Sequence, residues 1–132
     1  MATTVLSGTS GALYYKPAGT TGGFGETGVN VGTDTITIEP YLNLKAGDPV
    51  VFSVVNTQTG GAGSGTLPAG IAAVTTYFVL TYTASTGALT VSATLGGSIL
   101  DITDDGTAVS PNEFQVAYAA FAAVGQVRDW SF

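Results

Sequence analysis

Histidine and cysteine are both missing from this chain of 132 residues. The first absence removes the one side chain that changes charge near neutral pH without help from its surroundings, and with it every Ser–His or Cys–His nucleophile pair. The second removes thiolate nucleophiles, disulfide scaffolds and thiolate metal sites. Cations are nearly absent too: Lys16, Lys45 and Arg128 stand against nine acids, for a net charge of −6. Binding to a nucleic-acid backbone needs several cations on phosphates, and a polybasic membrane patch needs a cluster of them, so direct sequence-specific nucleic-acid binding and membrane attachment are not expected. No apolar run approaches the roughly 20 residues that span a bilayer. The opening Met1-Ala2-Thr3-Thr4-Val5 has neither the cationic nor the apolar region of a secretory leader.

Charged residues make up 9% of the chain, against about 25% in an ordinary soluble domain. The outside must be covered by Thr, Ser, Asn and Gly, or by neighbouring subunits. Either reading describes a surface and not a reaction centre. The length suits one domain, or one domain with an arm.

What fills the chain is Thr, Gly, Val and Ala in short alternating runs. Residues 7–33 are rich in glycine, from Ser7-Gly8-Thr9-Ser10-Gly11 to Gly22-Gly23-Phe24-Gly25-Glu26-Thr27-Gly28. Such a stretch gains little from side-chain burial and loses much entropy on ordering. It nevertheless carries Leu13, Tyr14, Tyr15, Pro17 and Phe24, more large apolar groups than a plain flexible linker holds. Residues 1–33 read as an N-terminal arm whose anchors Leu13, Tyr14, Tyr15 and Phe24 dock on a neighbour, or as a loop that folds back on its own domain, with the arm favoured and residues 34–132 as the domain.

From Asp34 the pattern turns to β. Asp34-Thr35-Ile36-Thr37-Ile38-Glu39 alternates with period 2, sending Ile36 and Ile38 to a core. Ala46-Gly47-Asp48-Pro49 marks a turn before a strand over Val50–Val55. Val74–Thr83 reads as the strongest strand, Ala84-Ser85-Thr86-Gly87 as a hairpin turn with Gly87 at a left-handed position, and Ala88–Ala93 as the return. Further strands are expected at Ser98–Thr103, Asn112–Tyr118 and Gln126–Phe132, with an ambiguous Ala-rich bend between the last two. About eight short strands at even spacing predict an all-β fold, a small antiparallel β-sandwich or barrel.

The candidate chemistry is thin. Asp101, Asp104 and Asp105 precede Gly106, but their spacing does not match the twelve-residue calcium loop, and a solvated acidic turn explains them. Nine acids in any β domain offer some carboxylate pair, so no glycosidase site follows from them. The Gly-rich stretches lack the Gly-Lys-Ser/Thr ending of a phosphate loop. No catalytic residue, metal site or cofactor is assigned. Arg128 and Trp130, the single Arg and the single Trp, share one side of the expected last strand and form a candidate anchor to a partner.

One resemblance goes further. Leu67-Pro68-Ala69-Gly70-Ile71 running to Thr76-Tyr77-Phe78-Val79, then Leu89-Thr90-Val91-Ser92-Ala93-Thr94, Gly96-Gly97 and Ile102-Thr103-Asp104-Asp105-Gly106-Thr107, resembles a β module of tailed-bacteriophage virion proteins. Gly47-Asp48-Pro49-Val50-Val51-Phe52 is similar to the strand before that module, and the likeness spans about residues 46–110. Gln126-Val127-Arg128-Asp129-Trp130-Ser131-Phe132 is similar to a run near the start of the tube-forming domain of phage tail tube proteins, where a long further stretch follows; here the sequence stops. The resemblance implies a non-enzymatic virion structural protein, most simply a capsid decoration (cement) protein. Its partners are then the major capsid protein and copies of itself, as a trimer for instance, and its place is the capsid surface. The alternative is a tail tube subunit, or its N-terminal part, in hexameric rings. A third possibility is a carbohydrate-binding β module of a tail tip, which needs an aromatic platform from Tyr41, Tyr77 and Tyr82.

Overall fold

The computed structural model describes residues 21–119, and these form an all-β fold. The strands are β1 (Thr21–Phe24), β2 (Val29–Asn30), β3 (Thr35–Thr37), β4 (Pro49–Asn56), β5 (Tyr77–Thr83), β6 (Ala88–Ser92) and β7 (Asn112–Tyr118). A 3-10 turn, Glu26–Gly28, is the one helical piece among the described residues, and no helix there is long and apolar enough to cross a membrane. All strand pairs are antiparallel and make one sheet, in the order β1-β7-β4-β5-β6-β3-β2.

That order forces the sheet to roll. Laid flat at a strand spacing of about 4.8 Å, its outer strands β1 and β2 would stand about 29 Å apart. Yet Phe24 ends β1 and Val29 begins β2, and five residue steps reach at most about 18 Å. The sheet therefore curls until its two edges approach, although β1 and β2 do not pair and no barrel closes. The β4–β5 junction is short, with two register pairs, Pro49–Phe78 and Val50–Tyr77, as are β2–β3 and β3–β6, whereas β4 and β7 share seven.

Alternation places the core inside the roll. Val50 and Phe52 of β4, Phe114 and Val116 of β7, Tyr77 and Val79 of β5, and Leu89 and Val91 of β6 all point inward and are buried. Ile36 and Ile38 join them as their period-2 pattern requires, with Thr37 exposed. In β5 the phase changes at an irregularity between Val79 and Thr81, so Tyr82 also packs on the core. On the outer face Thr81 and Thr90 share a hydroxyl hydrogen bond of 2.7 Å, which is how threonine serves as surface cover. Three aromatic contacts tie the centre together: Phe24 to Phe114 at 5.1 Å, Phe24 to Phe52 at 6.2 Å and Phe52 to Tyr77 at 5.8 Å between ring centroids.

The fold redraws the N-terminal boundary. Thr21–Phe24 pairs with β7 and Val29–Asn30 with β3, so residues 21–33 belong to the sheet and not to an arm. Glycine here serves close approach: a Cβ on Gly22 would strike the Leu42 side chain across the core, at 2.6 Å from its Cδ1. Two other expectations change. The strand expected from Val74 begins at Tyr77, because Val74 sits in a turn at φ 59°. The strand expected over Ser98–Thr103 is reduced to an Ile99–Ser92 bridge and the Leu100 N–H donating to Val91 O, while Ile102 is buried from an irregular segment. The expected turns stand where they were placed, with Gly47 at φ 93° and Gly87 at φ 81°.

Candidate functional site

The strand directions sort the connections into two sets, which overlap in height because β5 and β6 are stepped relative to β4: Phe78 pairs with both Pro49 and Ser92. β4 runs upward and its neighbours β5 and β7 run down; β1 and β6 run up with β4. The upper connections are then residues 31–34, 57–76 and 93–111. The lower ones are residues 38–48 and 84–87, and the chain enters β1 and leaves β7 at this same lower end.

A step in the sheet opens a groove among the upper connections. β5 starts at Tyr77, opposite Val50, whereas β4 continues to Asn56. Above Val50 the β5 side of β4 is therefore not covered by β5. Residues 57–63 fold back over the far part of this edge: the Gly63 N–H donates to Val54 O, Val55 bridges Ala62, and the Asn56 N–H donates to Gly61 O. The chain then leaves β4 to pair Thr66 with Thr107, through reciprocal backbone bonds of 2.9 and 2.8 Å. Among the described residues, the β4 backbone at Phe52 has no ladder partner on this side.

The space left is a groove of about 500 Å³ lined by Ser53, Val54, Thr66, Leu67, Ile71 and Ala73, with Gly63 and Gly65 in its wall. Its lining is aliphatic with two hydroxyls and carries no ionisable side chain. Such a surface binds by shape, apolar burial and main-chain hydrogen bonds; it offers neither an acid nor a base for proton transfer. The lip is held rigidly. The Tyr77 hydroxyl accepts a 2.8 Å bond from the Ala72 N–H, the Ile71 N–H donates to Pro68 O, and Ala69 exchanges backbone bonds with Thr103 and Asp104. Val74, next to the lip residue Ala73, is 94% exposed in the left-handed region, an unusual place for a β-branched residue.

Exposed apolar side chains stand on the connections: Val31, Val74, Leu95, Ile99 and Val109 on those that follow upward strands, with Leu95 beside Gly47, and Tyr41, 76% exposed, on the 38–48 connection. Charge is uneven: the upper connections carry Asp34, Asp101, Asp104 and Asp105 and no cation. Two carboxylates are structural pins. Asp34 Oδ1 accepts the Ile102 N–H at 2.8 Å, and Glu26 Oε2 accepts the Ala108 N–H at 2.7 Å. Asp104 Oδ1 accepts from the Gly106 N–H, the bond of a self-contained turn, and no group of three or more acids among the described residues is arranged to hold a metal ion.

Of the residues singled out from sequence, Phe24 lies among the described residues, and it is a core residue at 5% exposure, not a docking anchor. The composition signal was real, since a large apolar group among glycines must be buried somewhere; the sheet edge buries it. Leu13, Tyr14, Tyr15, Arg128 and Trp130 lie outside the described residues. The aromatic platform does not form. Tyr77 is buried, and the Tyr82 hydroxyl donates to Glu39 O at 2.6 Å and accepts from the Leu42 N–H at 3.0 Å, which leaves Tyr41 as the exposed member. The groove was not legible in the sequence, because Leu67 and Ile71 read as ordinary core residues beside Pro68 and Gly70.

No protein-family model, curated protein or solved structure matches the chain.

Proposed function

We propose that this chain is a non-enzymatic structural protein of a tailed-bacteriophage virion that works by burial against neighbours, with decoration of the assembled capsid as its leading role. The observation that carries the reading is a domain whose core is filled, yet which keeps large apolar side chains on its connections and has a charged fraction of 9%. Isolated soluble domains cover themselves with charge; a subunit covered by neighbours has less need to. The resemblance of residues 46–110 to virion β modules supplies the setting. The groove, free of ionisable side chains, favours adhesion over catalysis.

Cementing then needs no chemistry. Each copy covers a seam with an interface of about 800 Å² per partner, the usual size for specific association. Repetition over a shell multiplies modest affinities through effective concentration. The tail tube alternative rests on the 126–132 run and predicts rings. Immunogold labelling of particles made by the genome that encodes the chain separates the two. Label over the whole head, in many copies, supports decoration; label along the tail moves the role there; particles without the protein overturn the virion reading.

A further inference from the structure

We propose that Asp104 protects the chain from a covalent rearrangement at its neighbour: the Asp105–Gly106 peptide is a latent isoaspartate site, kept closed because Asp104 holds the Gly106 N–H. This goes beyond the virion reading and does not depend on it.

The sequence supplies the reactive pair. Asp105-Gly106 is the one Asp-Gly step in the chain, and no Asn-Gly step accompanies it. Glycine has no Cβ to shield its amide nitrogen, so that nitrogen can attack Cγ of the protonated Asp105 carboxyl. The N–Cγ bond forms, the C–OH bond breaks, and water departs with the amide proton, leaving a five-membered succinimide. Water then adds back to the ring. Opening at the original backbone carbonyl routes the main chain through the side chain, as an isoaspartyl link with a free α-carboxylate. The sum is an isomerisation, with one water lost and one regained.

The fold holds this nitrogen in place. The Gly106 N–H donates to Asp104 Oδ1 at 2.7 Å, so the attacking group is already engaged. The turn is tied on both sides: the Ala69 N–H donates to Asp104 O at 3.2 Å, and Thr66 and Thr107 exchange backbone bonds of 2.9 and 2.8 Å. Asp105 itself is exposed, so water reaches its carboxyl freely. What limits the reaction is the freedom of the Gly106 nitrogen to swing onto Cγ. Ring closure therefore waits for the turn to open locally, and the Asp104 bond sets how often it does.

Rearrangement here is not silent. An isoaspartyl link lengthens the main chain by one methylene just before Gly106. That glycine, at φ 79°, has no room to shift: a Cβ on it would lie 2.6 Å from Thr66 O, 2.7 Å from Phe114 Cζ and 2.8 Å from Pro68 N. The extra length falls on the Thr66–Thr107 bonds, and Thr66 and Leu67 line the groove. The isomerised chain thus loses the pin that holds its groove wall.

The test uses full-length chain in warm, mildly acidic buffer. Isoaspartate is counted by enzymatic methyl transfer to its free carboxylate and placed by peptide mapping. The unaltered chain is expected to convert slowly when folded and fast in urea. Asp104→Ala is expected to convert about fivefold faster than the unaltered chain while folded, the effect of losing one charge-assisted bond at an exposed site. Asp104→Asn, whose Oδ1 accepts the same bond, is expected to stay near the slow rate, and Asp105→Glu to give no signal. Equal urea midpoints verify folding. A rate for Asp104→Ala equal to that of the unaltered chain overturns the proposal, and so does a folded unaltered chain that converts as fast as the unfolded one. If Asp104→Ala unfolds, hydrogen exchange at the Gly106 amide of the unaltered chain decides: no more protection than at exposed neighbouring amides has the same consequence. Isomerised chain, separated by chromatography, is expected to unfold at a lower urea concentration, and an unchanged midpoint removes the link to the groove wall.

Discussion

Replacing Phe24 by alanine separates a core residue from a docking anchor. Its ring is packed within 5.1 Å of Phe114 and 6.2 Å of Phe52, centroid to centroid, and 5% of the residue reaches solvent. Large-to-small changes of a buried Phe cost about 3–5 kcal/mol, the transfer of the ring plus the cavity it leaves. Phe24 lies on the four-residue edge strand β1, beside Gly22 and Gly23. An edge strand yields more easily than a central one, so the lower part of that range, about 3 kcal/mol, is expected. At a urea dependence of about 2 kcal/mol per molar, the midpoint falls by about 1.5 M. The assay is urea unfolding followed by tyrosine fluorescence, repeated at two low protein concentrations so that association does not enter. Phe24→Leu, which keeps most of the volume, is expected to lose about 1 kcal/mol. An unchanged midpoint for Phe24→Ala, with association alone weakened, refutes the packing argument and returns Phe24 to an exposed arm.

Three further outcomes follow from local geometry. Val74→Asn is expected to stabilise the fold by about 0.5–1 kcal/mol, because asparagine tolerates the left-handed backbone that costs a β-branched residue about 1–2 kcal/mol; a lower melting temperature contradicts the strain. Asp34→Ala removes both the acceptor for the Ile102 N–H and a residue suited to φ 55°, and is expected to cost about 2–3 kcal/mol, with Asp34→Asn losing under half of that in the same thermal melts. Burial first, and then the charge of Asp48, hold the Tyr118 phenol above the usual tyrosine value. Its folded pKa is thus raised over an unfolded value near 10, so its contribution is complete below about pH 10 and drains away as pH rises through the folded value. Tyr118→Phe is expected to flatten that alkaline limb of the stability curve, and an unchanged limb assigns it to other groups.

Strand alternation made much of this protein readable in advance. Ile36 and Ile38, the 50–55 run, the Ala84–Gly87 turn and the 112–118 strand stand where hydrophobic period and turn chemistry put them, since burial on one face of a strand is a local demand that local sequence must meet. Composition fixed the absence of imidazole and thiol chemistry in the same direct way. What local pattern did not decide was long-range. Thr21–Phe24 reads as part of a Gly-rich arm, and it becomes a strand because β7 offers an edge and Phe24 packs on Phe52 and Phe114. Val74 looks like strand and is expelled into a turn, because the lip from Pro68 to Thr76 must close over the step at Tyr77. The groove is the mismatch between the length of β4 and the starting point of β5, and a mismatch belongs to a pair of strands, not to either one. The sequence alone determined which faces are apolar and which chemistries are missing; which edges meet, and where a strand outruns its partner, depended on the closing of the roll around a shared core.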